Sequence, residues 1–93
     1  MNRLLIDGVL TQTQTLRYSP AGVPIVEAVL LHQGTSSEAR KLACELTVQA
    51  SGSLAGQLVG LAAGTQVKLE GALNRRSVNS RQLILILNRI EKE

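Results

Sequence analysis

Three guanidiniums, Arg75, Arg76 and Arg81, fall within the run Asn74-Arg75-Arg76-Ser77-Val78-Asn79-Ser80-Arg81, and no acid stands among them. A guanidinium is a planar fork of N–H donors that fits phosphate oxygens, and Asn and Ser add neutral hydrogen bonds to phosphate or base. Arg40 with Lys41 forms a second cationic focus and Arg17 a third. Lys68 either extends such a track or is an ordinary surface lysine. The chemistry that these residue types and spacings serve is attachment to a polyanion. The plainer alternative for the arginine run is a solvated loop that keeps the protein soluble. Tyr18, the one aromatic ring in the chain, is either a platform for a stacked base or a packing residue of its own turn.

Bond-making chemistry is poorly provided for. His32 is the sole histidine and reads as a surface or edge residue. No CxxC pair, phosphate-binding loop or dinucleotide glycine motif accompanies it. Asp7 and Glu70 fall on different strands with no evident acid partner. The expectation is a protein that is not an enzyme and uses no metal or other cofactor.

Ninety-three residues suffice for one domain with one core, so the whole of 1–93 is read as a single unit. The hydrophobic share of 44% is almost wholly Leu, Val, Ile and Ala, without Phe or Trp, which makes the core aliphatic. Ten Lys and Arg against seven Asp and Glu leave a net charge of +3, and its local concentration matters more than its size. The single Cys44 excludes an intrachain disulfide; on the inward parity of its strand it reads as a small buried hydrophobe in a reducing compartment. No stretch approaches the roughly 20 apolar residues of a membrane span, and Met1-Asn2-Arg3 leads directly into strand-like residues, so the cytoplasm is expected.

The elements that must position these cations alternate with period two. Leu42, Cys44, Leu46, Val48 and Ala50 share one face while Lys41, Ala43, Glu45, Thr47 and Gln49 fall between them, the pattern of a strand with one buried face. A first strand spans Arg3 to Thr11, with Gly8 marking a bend, and the polar run Thr11-Gln12-Thr13-Gln14-Thr15 follows. Ser19-Pro20-Ala21-Gly22-Val23-Pro24 supplies the preset φ and the positive φ of a tight turn. The second strand runs from Ile25 to Gln33, and after the polar loop 34–39 the third runs from Arg40 to Ala50 and pairs with it. Ser53 is positioned to cap a helix reaching Ala63 on a Leu54, Leu58, Leu61 face, weakened by Gly56 and Gly60 and stopped at Gly64. The fourth strand, Thr65 to Leu73, turns its Val67, Leu69, Gly71 and Leu73 inward. The fifth, Leu83 to Ile90, is apolar on both parities, with Leu83, Leu85 and Leu87 on one and Ile84, Ile86 and Ile90 on the other.

Five strands with a short helix between the third and fourth give an all-β class and the order of the OB-fold, a partly open five-stranded barrel. That fold binds oligonucleotides on the face of its second and third strands and through the loops joining strands one to two and four to five. Arg17 and the Arg75, Arg76, Arg81 group fall in those two loops. An SH3-like barrel also has five strands but no helix at that place. The outer faces of the second and fifth strands are apolar as well, which an interface between two copies explains better than exposure does, so a homodimer is expected.

Asn2-Arg3-Leu4-Leu5-Ile6-Asp7-Gly8, the turn Leu16-Arg17-Tyr18-Ser19-Pro20-Ala21-Gly22-Val23-Pro24, Val29-Leu30-Leu31-His32 and Val48-Gln49-Ala50-Ser51-Gly52 together give a chain that resembles the primosomal replication protein N (PriB) family. These are dimeric OB-fold relatives of bacterial single-stranded DNA-binding protein, and the similarity runs from Asn2 to Glu91. The Ser-Pro-x-Gly-x-Pro turn is its most specific element. The resemblance implies a non-enzymatic part in restart of stalled replication forks, with single-stranded DNA, the PriA helicase and further primosome proteins as partners. By position it implies that Arg75, Arg76 and Arg81, Arg40 and Lys41, and Arg17 line the DNA path. Ala43 stands where the best-known relatives place a stacking tryptophan, which shifts weight from DNA toward the helicase contact.

Two other readings remain. The shortage of aromatic rings motivates an adaptor whose arginines meet an acidic protein surface, with little affinity for DNA. A general single-stranded DNA-binding protein is disfavoured on the expectation that such proteins add an acidic tail, whereas Glu91-Lys92-Glu93 follow the last strand directly.

Overall fold

A computed structural model describes residues 1–13, 16–35 and 37–93, so Gln14 and Thr15 of the polar run and Ser36 of the second connection lie outside the described residues. The elements follow in the order β1 (Leu4–Thr13), β2 (Arg17–Tyr18), β3 (Pro24–Thr35), β4 (Lys41–Ser51), α1 (Ser53–Val59), β5 (Gln66–Arg75) and β6 (Leu83–Lys92). The five long strands are those expected, each displaced by a few residues at most, and β2 is a two-residue addition paired with the start of β3. The sheet runs β1-β5-β6-β4-β3-β2 and closes because β1 also pairs with β3. β1 does this by changing neighbour midway. Leu4 to Val9 face β5 in antiparallel register, and Val9 to Thr13 face β3. The β4–β6 contact, confined to Thr47–Gln49 against Ile84–Ile86, is parallel. This is the OB-fold barrel.

Closure demands two close backbone approaches, and glycine stands at both. A Cβ on Gly8 would lie 2.4 Å from the Leu31 carbonyl oxygen, and one on Gly71 would lie 2.1 Å from that of Ile86. Neither distance is compatible with a side chain unless the strands separate. The ladders slip beside these points, with a register shift between Leu10 and Gln12 in β1 and another between Glu70 and Gly71 in β5. Such slips bend and twist a strand, as a barrel corner requires. The second also corrects the parity expected for the last strand: Asn88 is the extra residue, so Ile90 comes opposite Leu69 and packs against the core with Leu85 and Leu87.

Inside, Leu10, Val26, Leu30, Val48, Ala50, Val67, Leu69 and Leu85 are fully buried, with Ala28 and Leu87 nearly so. Each large aliphatic chain contributes about 1.5–3 kcal/mol relative to exposure, so these side chains dominate the stability of a core without rings. Helix α1 covers one end, seating Ala55 and Leu58 against β3, β4 and β6. It is shorter than the expected span to Ala63, and its capping differs from expectation. Gly52, at φ 64°, occupies the N-cap position with no side-chain hydrogen bond, and Ser53 is already helical. Gly64, at φ 93°, belongs to the connection after the helix, where its N–H donates to the Leu10 carbonyl at 2.7 Å. An uncapped helix containing glycine persists for two turns because the barrel end holds it.

Beyond the barrel, β3 and β4 continue as a paired hairpin through Thr35 and Lys41. The radius of gyration, 13.4 Å, exceeds the about 12 Å expected for a compact chain of this length, in keeping with the projecting hairpin and a long axis of 46 Å. This projection overturns the reading of Cys44 as buried: Cys44 is exposed, and Leu42 beside it is 43% exposed. Both keep the inward parity, but they lie past the point where the barrel has an inside.

Gly71→Ala is expected to lower stability by about 2 kcal/mol or more, because backbone rather than a movable side chain blocks the new methyl. In thermal unfolding this is a fall of about 10 °C or more. Gly56→Ala, on the helix with nothing within 4 Å of the new Cβ, should instead raise stability by about 0.5–1 kcal/mol.

Candidate nucleic-acid interface

The odd-numbered residues of β3 and β4 point away from the core and form one continuous outer face. Cross-strand partners along it are Glu27 with Gln49, Val29 with Thr47, Leu31 with Glu45, Gln33 with Ala43 and Thr35 with Lys41. From Glu27 to Thr35 is eight residues, roughly 26 Å at about 3.3 Å each. Cations stand at both ends and Glu45 is the only acid between the ends.

At the barrel end of this face two loops converge. The first connection places Arg17 opposite Ile25 and Tyr18 opposite Pro24. Its turn is the one expected: the Gly22 N–H donates to the Ser19 carbonyl at 2.8 Å, with Gly22 at φ 84°, and the Ser19 hydroxyl accepts from the Val23 N–H at 3.2 Å. Tyr18 is 67% exposed, so its ring is not a packing residue of that turn and is open to a partner. The last hairpin is closed by the Arg76 N–H on the Gln82 carbonyl at 2.9 Å and the Ser80 N–H on that of Ser77 at 3.1 Å. Arg75 Nη1 donates to the Val78 carbonyl at 3.1 Å within the same tip. Arg81 is exposed and forms no ion pair among the described residues.

The two loops are joined by a residue that the sequence reading passed over. Glu27, on the outer face of β3, is 4% exposed and is the buried charged residue of the described chain. Arg17 donates to its Oε2 at 3.1 Å and Arg76 to its Oε1 at 2.8 Å. An isolated buried carboxylate costs several kcal/mol, and a guanidinium on each oxygen offsets that cost. The cover expected over the outer side of this strand is therefore supplied at Glu27 by the chain's own arginines. The signal was available in the sequence: an acid flanked at both second neighbours by Ile25 and Val29 must either break the apolar face or be neutralised there.

At the far end of the face Lys41 begins β4, with Arg40 just before it. Lys41 makes no ion pair among the described residues. Lys68 lies elsewhere. It sits on the outside of β5 between its register partners Asp7 of β1 and Glu91 of β6. Nearby, Arg3 pairs with Glu70 at 3.0 Å, which raises the Arg3 guanidinium above its ordinary pKa, and Arg89 pairs with Glu91. This face is charge-balanced. The fold thus gathers Arg17, Tyr18, Arg75, Arg76 and Arg81 at one end of the β3–β4 surface and Arg40 and Lys41 at the other, and sets Lys68 apart.

His32 is half-buried and tied to β1, with Nδ1 2.6 Å from the Asp7 carbonyl oxygen. Since a carbonyl only accepts, Nδ1 carries the proton.

Comparison with known proteins agrees with this fold. A family model described as "another single-strand binding protein family" matches residues 2–89. The replication restart protein PriB of Nitrosomonas europaea is 30% identical over 87 residues, which cover 90% of this chain and 81% of the relative. The solved PriB of Ralstonia solanacearum superposes with a TM-score of 0.93 at 30% identity, covering 100% of this chain and 98% of that one. The single-strand binding domain of a Synechococcus protein superposes at 0.79 with 27% identity over 98% and 94% of the two chains. With this barrel, this arginine-rimmed face and these matches along nearly its full length, the chain belongs to the replication restart protein PriB group of the single-strand binding protein family.

Proposed function

We propose that this chain is a non-enzymatic primosome component that binds single-stranded DNA, mainly electrostatically, and engages the PriA replication-restart helicase during restart of stalled forks. The observation that carries the DNA part is the single outer face of β3 and β4 with arginines converging at one end and Arg40 and Lys41 at the other. A flexible polyanion laid along it meets cations at both ends and a nearly neutral sheet between. The phosphate-binding residues in this reading are Arg17, Arg40, Lys41, Arg75, Arg76 and Arg81, with Tyr18 as the one ring able to stack a base. Lys68, between Asp7 and Glu91, is left out of the path. Ala43, one position in from the Lys41 end of the face, offers no stacking surface, so charge supplies most of the attraction.

The helicase partnership rests on the relatives' role in replication restart. The protein acts in the cytoplasm, where the chromosome is, and among the described residues no helix is long and apolar enough to cross a membrane. The homodimer is supported by β1: from Leu4 to Ile6, before Asp7 and Gly8 meet β3, it has a strand ladder on one side only, among the described residues. Such an edge pairs readily with a second copy. The adaptor reading, in which the arginines meet an acidic protein surface, draws on the same shortage of rings.

Sedimentation at several concentrations, with and without a labelled thymidine oligonucleotide, reads subunit number and DNA binding together. The expected results are twice the chain mass and a complex that dissociates with salt. Six phosphate contacts set an upper limit of about −4 on the slope of log affinity against log salt. Arg75→Ala with Arg81→Ala should weaken binding at least about tenfold at 0.1 M salt and flatten the slope by about 1.4. A slope near zero, or unchanged affinity in the double variant, would count against DNA binding and favour the adaptor.

A further inference from the structure

We propose that Glu27 is a built-in attenuator of polyanion binding: it sits under the arginine end of the binding face and withholds part of its positive charge. This inference rests on the DNA-binding reading above. Its basis is the bridge itself. Glu27 is 4% exposed, while the Arg17 and Arg76 side chains over it remain 59% and 39% exposed. Each guanidinium gives Glu27 one nitrogen and keeps its other N–H groups for an outside acceptor. The trio therefore offers two phosphate-sized docking forks but a net charge of +1 instead of +2. A phosphate docking there meets both guanidiniums with a carboxylate directly behind them, poorly screened by water because it is buried. Stability alone does not require that carboxylate, because both arginines reach solvent, and a guanidinium released from Glu27 can be hydrated instead. Its cost is borne by affinity. The consequence is a surface that releases its ligand more readily than its count of arginines suggests, as suits a protein that passes a strand onward.

Glu27→Gln keeps the shape and one of the two accepting oxygens and removes the charge; its amide NH2 faces the other guanidinium, which reaches solvent and can turn to water. In the full-length protein, binding to a labelled thymidine oligonucleotide should tighten about fivefold at 0.1 M salt. The salt slope should steepen by about 0.7, one additional phosphate equivalent for a single strand. The two proteins' affinities should then converge as salt approaches 1 M. Glu27→Leu removes the charge without leaving a buried polar atom and serves in its place should the Gln variant fail to fold; the same direction is expected. Glu27→Asp keeps the charge and should not steepen the slope. If the wild-type protein binds and the neutral variants bind equally, or more weakly with a shallower slope, the attenuator is overturned while DNA binding stands. If neither wild type nor the neutral variants bind, both readings fall.

Discussion

Everything in this structure depends on one strand serving two neighbours. β1 leaves β5 and joins β3 within a single ten-residue run, and that exchange turns a twisted sheet into a barrel. It is sterically possible because the backbones nearly touch where Gly8 passes Leu31, and the same holds where Gly71 passes Ile86. A barrel without rings has no bulky side chain to absorb a misfit, so the aliphatic core packs well only if the strands approach to these distances. The bulges next to the two contacts take up the remaining residue of register and bend the strands around the core.

Closure then decides where the chemistry lies. It sets the first connection and the last hairpin over the same end of β3, so that Arg17 and Arg76, far apart in the chain, meet the two oxygens of one buried carboxylate. The buried carboxylate and its two partners act as a staple that joins both connections to β3. Because Glu27 belongs to the rigid sheet, the staple also fixes the arginines relative to the outer face that runs toward Lys41. On the opposite side the same closure places Lys68 among acids, where cross-strand register alone neutralises it. The molecule thus has one balanced face and one basic-ended face, although its net charge is only +3.

Much of this was legible in the residues. Alternation identified the five long strands and, in the first, third and fourth, which parity faces the core, since a side chain's face follows directly from its place in a pleated strand; β3 and β6, apolar on both parities, gave no such choice. The Ser19–Val23 turn was legible because Pro20 and Gly22 restrict and free φ at the required positions. The helix was legible as an apolar face but not in its capping, because packing on the barrel end outweighed the weak local preference of Ser53. Cys44 was misplaced for a different reason. Parity reports which way a side chain points and says nothing about whether the barrel still has an interior at that height.

By itself, then, the sequence determined the local terms: strand periodicity, turn chemistry, an aliphatic core and the clustering of arginines in two connections. Tertiary structure alone decided the long-range terms, namely the exchange of partners by β1, the parity shift at Asn88, the projection of the β3–β4 hairpin and the meeting of Arg17, Glu27 and Arg76. The reason is physical. Backbone and side-chain preferences act over a few residues, whereas the contacts that closure creates join residues separated by tens of positions and exist only once the barrel has formed.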